Sequence, residues 1–269
     1  MVVTRSIVAL PEPPEVAEGN PIHGDEVAAQ VGYEGALVSG VHTYGWASDA
    51  VVDALGEGWL DHGWIDVSLR RPLYEGERIT TTVDGDGGLR TAKDDGTVVL
   101  EGMVGLGDAD FRSELIRPTR LAPEPEPAGL ANLRLETAPV GTDFRPMSVP
   151  ASESPAWAKK RLGEQPGSRY LGERPRLHPG WIAARLTALV RHSYHYGPAI
   201  HARTRMQHLA PGWAEGTITV GARLVRVYER KGHHYHESDC WVYGADGVMP
   251  IAAFRHTGIF RIAGYDYGY

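Results

Sequence analysis

Apolar residues recur along this chain in two spacings. After Gly40, the stretch VHTYGWASDAVVDAL places Val41, Gly45, Ser48, Val52 and Leu55 on one stripe of a predicted helix. After Gly180, WIAARLTALVRHSY does the same with Ile182, Leu186, Leu189 and Val190. Elsewhere the pattern alternates and β-branched residues are frequent, predicting strands in IDVSLRRPLY, ITTTVDG, VVLEGMVGL, IHARTRMQHLAPGWA, TITVGARLVRVYE, HHYHESDCWVYG and MPIAAFRHTGIFRI. Asp86-Gly87, Asp95-Gly96 and Asp246-Gly247 mark turns. One helix followed by a run of antiparallel strands, met twice, predicts an α+β architecture in which each sheet wraps around a central helix. Gly45, Ala47, Ser48 and Ala50 are small, so another element can pack closely on the first helix.

The two halves are in register. Gly40 and Gly180, Glu75 and Glu215, and Gly76 and Gly216 are each 140 residues apart, which marks an internal repeat. Between the halves, residues 118–179 hold 11 of the 19 prolines, including the run Pro123-Glu124-Pro125-Glu126-Pro127. Proline fixes its own φ and has no amide donor, so this stretch is predicted to be mostly extended, with a short helix around Ala156–Leu162. The organisation expected is an N-terminal unit over 1–117, a proline-rich connection over 118–179 and a C-terminal unit over 180–269.

Composition narrows the class. With 42% hydrophobic and 23% charged residues over 269 positions, the chain can bury a sizeable core. No apolar run is long enough to cross a bilayer, no cleavage-like leader precedes the first strand, and the single Cys240 excludes an internal disulfide. These features predict a cytoplasmic protein without a membrane partner. The net charge of −7 argues against a general nucleic-acid binder. That charge is uneven. Residues 1–159 carry 12 Lys+Arg against 26 Asp+Glu, a balance of −14, and residues 160–269 carry 15 against 8, a balance of +7. Two compatible readings follow: the halves attract each other across an interface, or the basic half receives an anionic ligand such as the phosphates of coenzyme A.

The segment with chemistry in it is Glu18-Gly19-Asn20-Pro21-Ile22-His23-Gly24-Asp25, followed by a short helical EVAAQVGY and by LVSGVHTYG. Read alone, Asn-Pro is a natural turn and His23 a loop residue. An imidazole is also the side chain best suited to proton transfer near neutrality. A helix start such as Gly40 offers unpaired N–H donors to a developing oxyanion.

Asn20, Pro21, His23, Asp25, Ala28 and Gly40 resemble the MaoC-like dehydratase and (R)-specific enoyl-CoA hydratase family, whose hallmark Asp-x-Asn-Pro-x-His precedes a glycine that opens the central helix. The second half, from LHPGW near 178 to FRHTGIF near 256, resembles a degenerate copy, so the likeness spans nearly the whole chain. The resemblance implies a tandem double hot-dog fold and reversible hydration of a trans-2-enoyl thioester. It places Glu18, His23 and Asn20 as catalytic residues and the backbone around Ser39, Gly40 and Val41 as the thioester-oxygen site. No cofactor is expected beyond the coenzyme A or acyl carrier protein that bears the substrate, and a homodimer of double units is compatible with it. The sequence departs from the family in two places: the first Asp is Glu18, one methylene longer, and the residue before the helix glycine, often His, is Ser39. A hot-dog thioesterase and a non-catalytic acyl-thioester binder therefore remain as alternatives.

Other histidines have blander readings. His233-His234-Tyr235-His236 does not present a metal set, because alternate strand residues face opposite sides and only His234 and His236 share one; no metal is expected. His178 and His201 are the residues through which the second copy would have chemistry of its own. Otherwise they are core or interface histidines.

Overall fold

The structure is a computed structural model that describes residues 2–268. In chain order its elements are β1 (Val3–Val8), α1 (Pro14–Gly19), a 3-10 turn at Pro21–His23, α2 (Asp25–Gln30), α3 (Gly40–Leu55), α4 (Trp59–His62), β2 (Gly63–Leu69), β3 (Arg78–Val83), β4 (Gly88–Lys93) and β5 (Val98–Leu106). After a 3-10 turn at Asp110–Glu114 come β6 (Ala131–Asn132), β7 (Met147–Pro150), α5 (Glu153–Trp157), a π turn at Ala158–Leu162, α6 (Pro179–Ser193), β8 (Tyr194–His195), β9 (Ile200–His208), β10 (Thr217–Arg230), β11 (His233–Tyr243) and β12 (Pro250–Arg261).

Ten strands form one antiparallel sheet in the order β1-β3-β4-β5-β2-β9-β12-β11-β10-β7. The order in the two halves is equivalent when each is read outward from the seam, where β2 pairs with β9, Trp64 opposite Gln207 and Ser68 opposite Arg203. The 140-residue register has a structural basis. Gly76 and Gly216 both adopt positive φ (78° and 66°) in the turns before β3 and β10, a conformation glycine takes without a Cβ penalty. The same offset carries the Val3–Val83 pair onto the Asp143–Arg223 bridge. The sheet of the second repeat therefore begins inside the proline-rich stretch, which contributes edge strand β7 and helix α5 as well as connection.

α3 packs on β1, β3 and β5, α6 packs on β10, β11 and β12, and the two helices pack on each other. That double contact explains why every residue from Val41 to Val52 is buried, polar ones included. The crossing is close because glycine allows it: a Cβ on Gly180 would lie 3.0 Å from Gly45 Cα and from the Val41 carbonyl oxygen. One core cluster runs through both helices and both halves of the sheet.

Charge also stitches the halves. Asp66 accepts two bonds from Arg203 (2.9 and 2.7 Å), Glu114 pairs with Arg205 at 3.0 Å, and Asp61 pairs with Arg176. The acidic first half and the basic second half thus meet across the seam, although exposed pairs of this kind each contribute little. Buried Gln207 does more for order there: its Oε1 accepts from the Ala109 amide at 2.8 Å, and its Nε2 donates to the Gly63 and Gly107 carbonyls at 3.2 and 3.0 Å. Cys240 is fully buried, and burial pushes its thiol well up, consistent with a core residue. No helix among the described residues is long and apolar enough to cross a membrane.

Candidate active site

The Asn20–His23 segment folds back onto the start of α3 and the start of β9. Asn20 Oδ1 accepts the Ala199 N–H at 2.9 Å, and Asn20 Nδ2 donates to the Ala199 carbonyl at 2.8 Å, so the side chain bridges the two halves much as a strand neighbour would. The remaining Nδ2 hydrogen points to His23 Nε2 at 3.1 Å. His23 Nδ1 is 2.6 Å from the Leu37 carbonyl, which can only accept. Its proton therefore sits on Nδ1, and its Nε2 lone pair receives Asn20. Burial drives His23 below the ordinary histidine range and Arg191 adds to this, against the opposing pull of Glu12. His23 is held neutral and fixed at both nitrogens.

Glu18, expected as the acid/base partner of His23, stands exposed on α1 with no hydrogen bond or ion pair among the described residues. The carboxylate that reaches the site belongs to Glu12. Its Oε1 accepts from the Ser39 N–H at 2.5 Å and lies 2.8 Å from His42 Nδ1. Burial raises the Glu12 carboxyl, but the bond and charge of His42 and the Ser39 amide outweigh it and hold Glu12 below the usual range. A carboxylate is favoured here in any case, at the positive end of α3. Glu12 and His42 thus form a carboxylate–imidazole dyad in which the carboxylate fixes the proton on Nδ1 and leaves Nε2 as the basic nitrogen. Sequence reasoning missed both residues. Glu12 lay in a proline-rich run that looked solvated, and His42 lay within the stretch assigned to helix packing.

The first turn of α3 is open. Ser39 is its N-cap without a side-chain cap. The His42 and Thr43 amides bond to the Ser39 carbonyl, whereas the Gly40 and Val41 amides have no partner among the described residues. His201 packs against Gly40 so closely that a Cβ there would lie 2.7 Å from His201 Cβ, so glycine is required at this position. His201 itself is half-buried, bonded through Nε2 to Thr204 Oγ1 at 2.7 Å and packed ring against ring on His256, 3.8 Å between ring centres. Burial pushes His201 down to about 3, and His256 falls well below its usual value. Both are neutral and form a wall.

Two cavities meet at this helix start. One, of about 210 Å³, is mostly apolar and reaches Tyr33, Leu69, Val99 and Ile259 from Gly40. The other, of about 260 Å³, is bordered by Val41, His42, Trp157, Arg185 and Arg191. His23, Ala199 and His201 line both.

His178 takes a different course. It caps α6, its Nδ1 accepting the Gly180 N–H at 3.0 Å while its own amide donates to Ser154 Oγ at 2.9 Å. Its Nε2 lies 3.4 Å from Asp49 on α3, beside buried Glu164 and the partly exposed Arg5. Donor atoms of Asp49, Glu164 and His178 come within 4.8 Å of one another, with Arg5 3.5 Å from Asp49 and 3.9 Å from Glu164. Burial raises Glu164 and the neighbouring Asp49 raises it further, while His178 and Arg5 hold Asp49 down against its own burial. The charges of this group largely cancel, as expected of a network that ties α3 to α6. His234 and His236 share a face, both against Phe260, as their spacing predicted.

Comparison with known structures agrees with this architecture. No family sequence model and no curated protein matches the chain. The fold is similar to that of a conserved hypothetical protein from Mycobacterium tuberculosis, essential for bacterial survival during infection and described as a double hot-dog (13% identity, 96% of this chain and 95% of that one, TM-score 0.61). It is also similar to a MaoC-like dehydratase (13% identity, 96% and 97%, TM-score 0.55) and to a candidate thioesterase from Novosphingobium aromaticivorans (13% identity, 96% of each chain, TM-score 0.51). The protein is a double hot-dog, with its open helix start in the first repeat.

Proposed function

We propose that the protein is a hydro-lyase acting on acyl thioesters, adding water reversibly to a trans-2-enoyl group carried on coenzyme A or an acyl carrier protein. The observation that supports this reading is the pairing of free Gly40 and Val41 amides with the Glu12–His42 dyad in one helix turn. The amides receive the thioester oxygen as enolate charge develops, in a site walled by neutral imidazoles. His42 Nε2 takes a proton from water as its oxygen bonds to C3 and the π electrons move onto the thioester. It then returns that proton to C2, so that one water is consumed and nothing else is needed. Asn20 and His23 act as positioning residues, holding the loop before α3 against β9.

The test is product analysis with crotonyl-CoA, wild type against His42→Gln. The expected result is a gain of one water that falls by at least about a hundredfold in the variant. Unchanged turnover in His42→Gln, or release of free thiol from saturated acyl-CoA, overturns the assignment; the second outcome favours the thioesterase alternative suggested by one of the similar structures.

A further inference from the structure

The cavity beside His42 holds a charge that no carboxylate of the described residues pairs with. Arg191 projects from α6 into it, with Nε buried and unpartnered and Nη1 so near Gly19 that a Cβ there would lie 2.9 Å away. No carboxylate pairs with it among the described residues. Arg185, on the same helix, is buried; its Nε donates to the Trp181 carbonyl at 3.0 Å and its guanidinium lies 4.2 Å from the Trp181 ring, again without an ion pair. Arg161 lines the cavity too; Glu15 takes its Nη2 at 3.2 Å, while its Nη1 is buried and free. Glu15, the acid that lines this cavity, is already engaged with Lys160 and Arg161, and Glu12 is engaged with His42; Glu153 attracts Arg185 without forming an ion pair with it.

A guanidinium is charged at any physiological pH, and burying it without a counter-charge is opposed by desolvation. Two such groups in one cavity mark the seat of an anion. Planar forks of N–H donors match a carboxylate in both charge and shape. The position of the anion follows from the size of the cavity. His42 and Arg191 border the same small space, so the bound group belongs to the acyl chain near the reacting carbonyl. The phosphates of a carrier lie a whole pantetheine arm away, and would more naturally meet Arg71 at the rim of the other cavity.

We infer that the acyl chain of the substrate ends in a carboxylate held by Arg191 with Arg185, so that the natural substrates are monothioesters of short dicarboxylic acids. This rests on the acyl-thioester reading above.

Calorimetric binding of succinyl-CoA, butyryl-CoA, coenzyme A and free succinate to the wild type, Arg191→Gln and Arg191→Lys tests it. Succinyl-CoA is expected to bind about tenfold to a hundredfold more tightly than butyryl-CoA, the usual worth of a charged hydrogen-bonded contact. Arg191→Gln should level the two, and Arg191→Lys should keep part of the preference. Arg191→Gln should also melt no lower than the wild type without ligand, since it removes an unpaired buried charge. Equal binding of the two thioesters, or a preference that survives Arg191→Gln, overturns the inference. Loss of coenzyme A binding equal to that of succinyl-CoA also overturns it, by assigning the arginines to the phosphates of the carrier. If no thioester binds, the thioester reading itself fails, and the pocket is judged on succinate alone: a rise in melting temperature that needs Arg191 sustains an anion site, and its absence removes it.

Discussion

The two helix starts, equivalent under the internal repeat, have opposite fates. At α3 the N-cap is Ser39 without a side-chain bond, two amides are free, and cavities open on either side. At α6 the cap is His178, fully buried and bonded to the Gly180 amide, and the first helical residue is Pro179, which has no N–H to offer. Gly180 is pressed against Gly45, the Val41 carbonyl and Trp157. One helix start leaves its donors open; the other spends them on packing. A repeat can therefore preserve its framework while one helix start is closed, through a proline and a capping imidazole.

Substitutions can break this contrast. The largest effect is expected of Gly40→Ala, whose methyl group would collide with His201 and shift the amides it flanks. Turnover should fall about a hundredfold to a thousandfold, as when an oxyanion donor is lost, in a steady-state assay of crotonyl-CoA hydration. Glu12→Gln comes next. With the Nδ1 anchor of His42 weakened, kcat should drop about a hundredfold, while Glu18→Gln, which changes an exposed side chain, leaves it unaltered. A reversed ranking in parallel assays would return the carboxylate role to Glu18.

His178→Ala should act on stability instead, costing about 1–3 kcal/mol in urea unfolding by stranding buried Asp49 and the Gly180 amide, with kcat of the folded enzyme retained. A matching loss of kcat would mean that the second helix start is chemically active after all. The response to acid tests the buried imidazoles together. Burial lowers His201 and His208 to about 3 and His236 to about 4, against 6.5 in the unfolded chain. The unfolded state then takes up protons that the folded state refuses. Stability should be full above pH 6.5 and decline between 6.5 and about 3, by up to about 1.4 kcal/mol per pH unit for each imidazole. Circular dichroism melts across that range check it, and His208→Gln should flatten the slope; an identical slope in that variant would remove His208 from the account.

Much of the framework was legible in the chain. The apolar stripes of α3 and α6, the Asp-Gly turns and the 140-residue register depend on local periodicity and on glycine's access to positive φ, both of which are written in sequence order. β1 and β4 escaped because their interiors, Thr-Arg-Ser and Leu-Arg-Thr, carry little apolar signal; neighbours in the sheet make them strands. β7 escaped because a proline-rich context argues against pairing, which an edge strand tolerates.

The candidate site divides along the same line. Asn20, His23 and Gly40 could be picked out because they match a short family hallmark; read alone, Asn-Pro is a turn and His23 a loop residue. Glu12 and His42 could not, since a carboxylate 30 residues before an imidazole becomes its partner only when α1 and the loop behind it fold over the first turn of α3. Nor could Arg185 and Arg191, whose significance lies in the counter-charges that are missing around them. Periodicity and turn chemistry are properties of neighbours along the chain, and the sequence by itself determined those. Burial and the pairing of charges are properties of neighbours in space, and only the tertiary structure decided which carboxylate reaches the start of α3 and which cations are left without one.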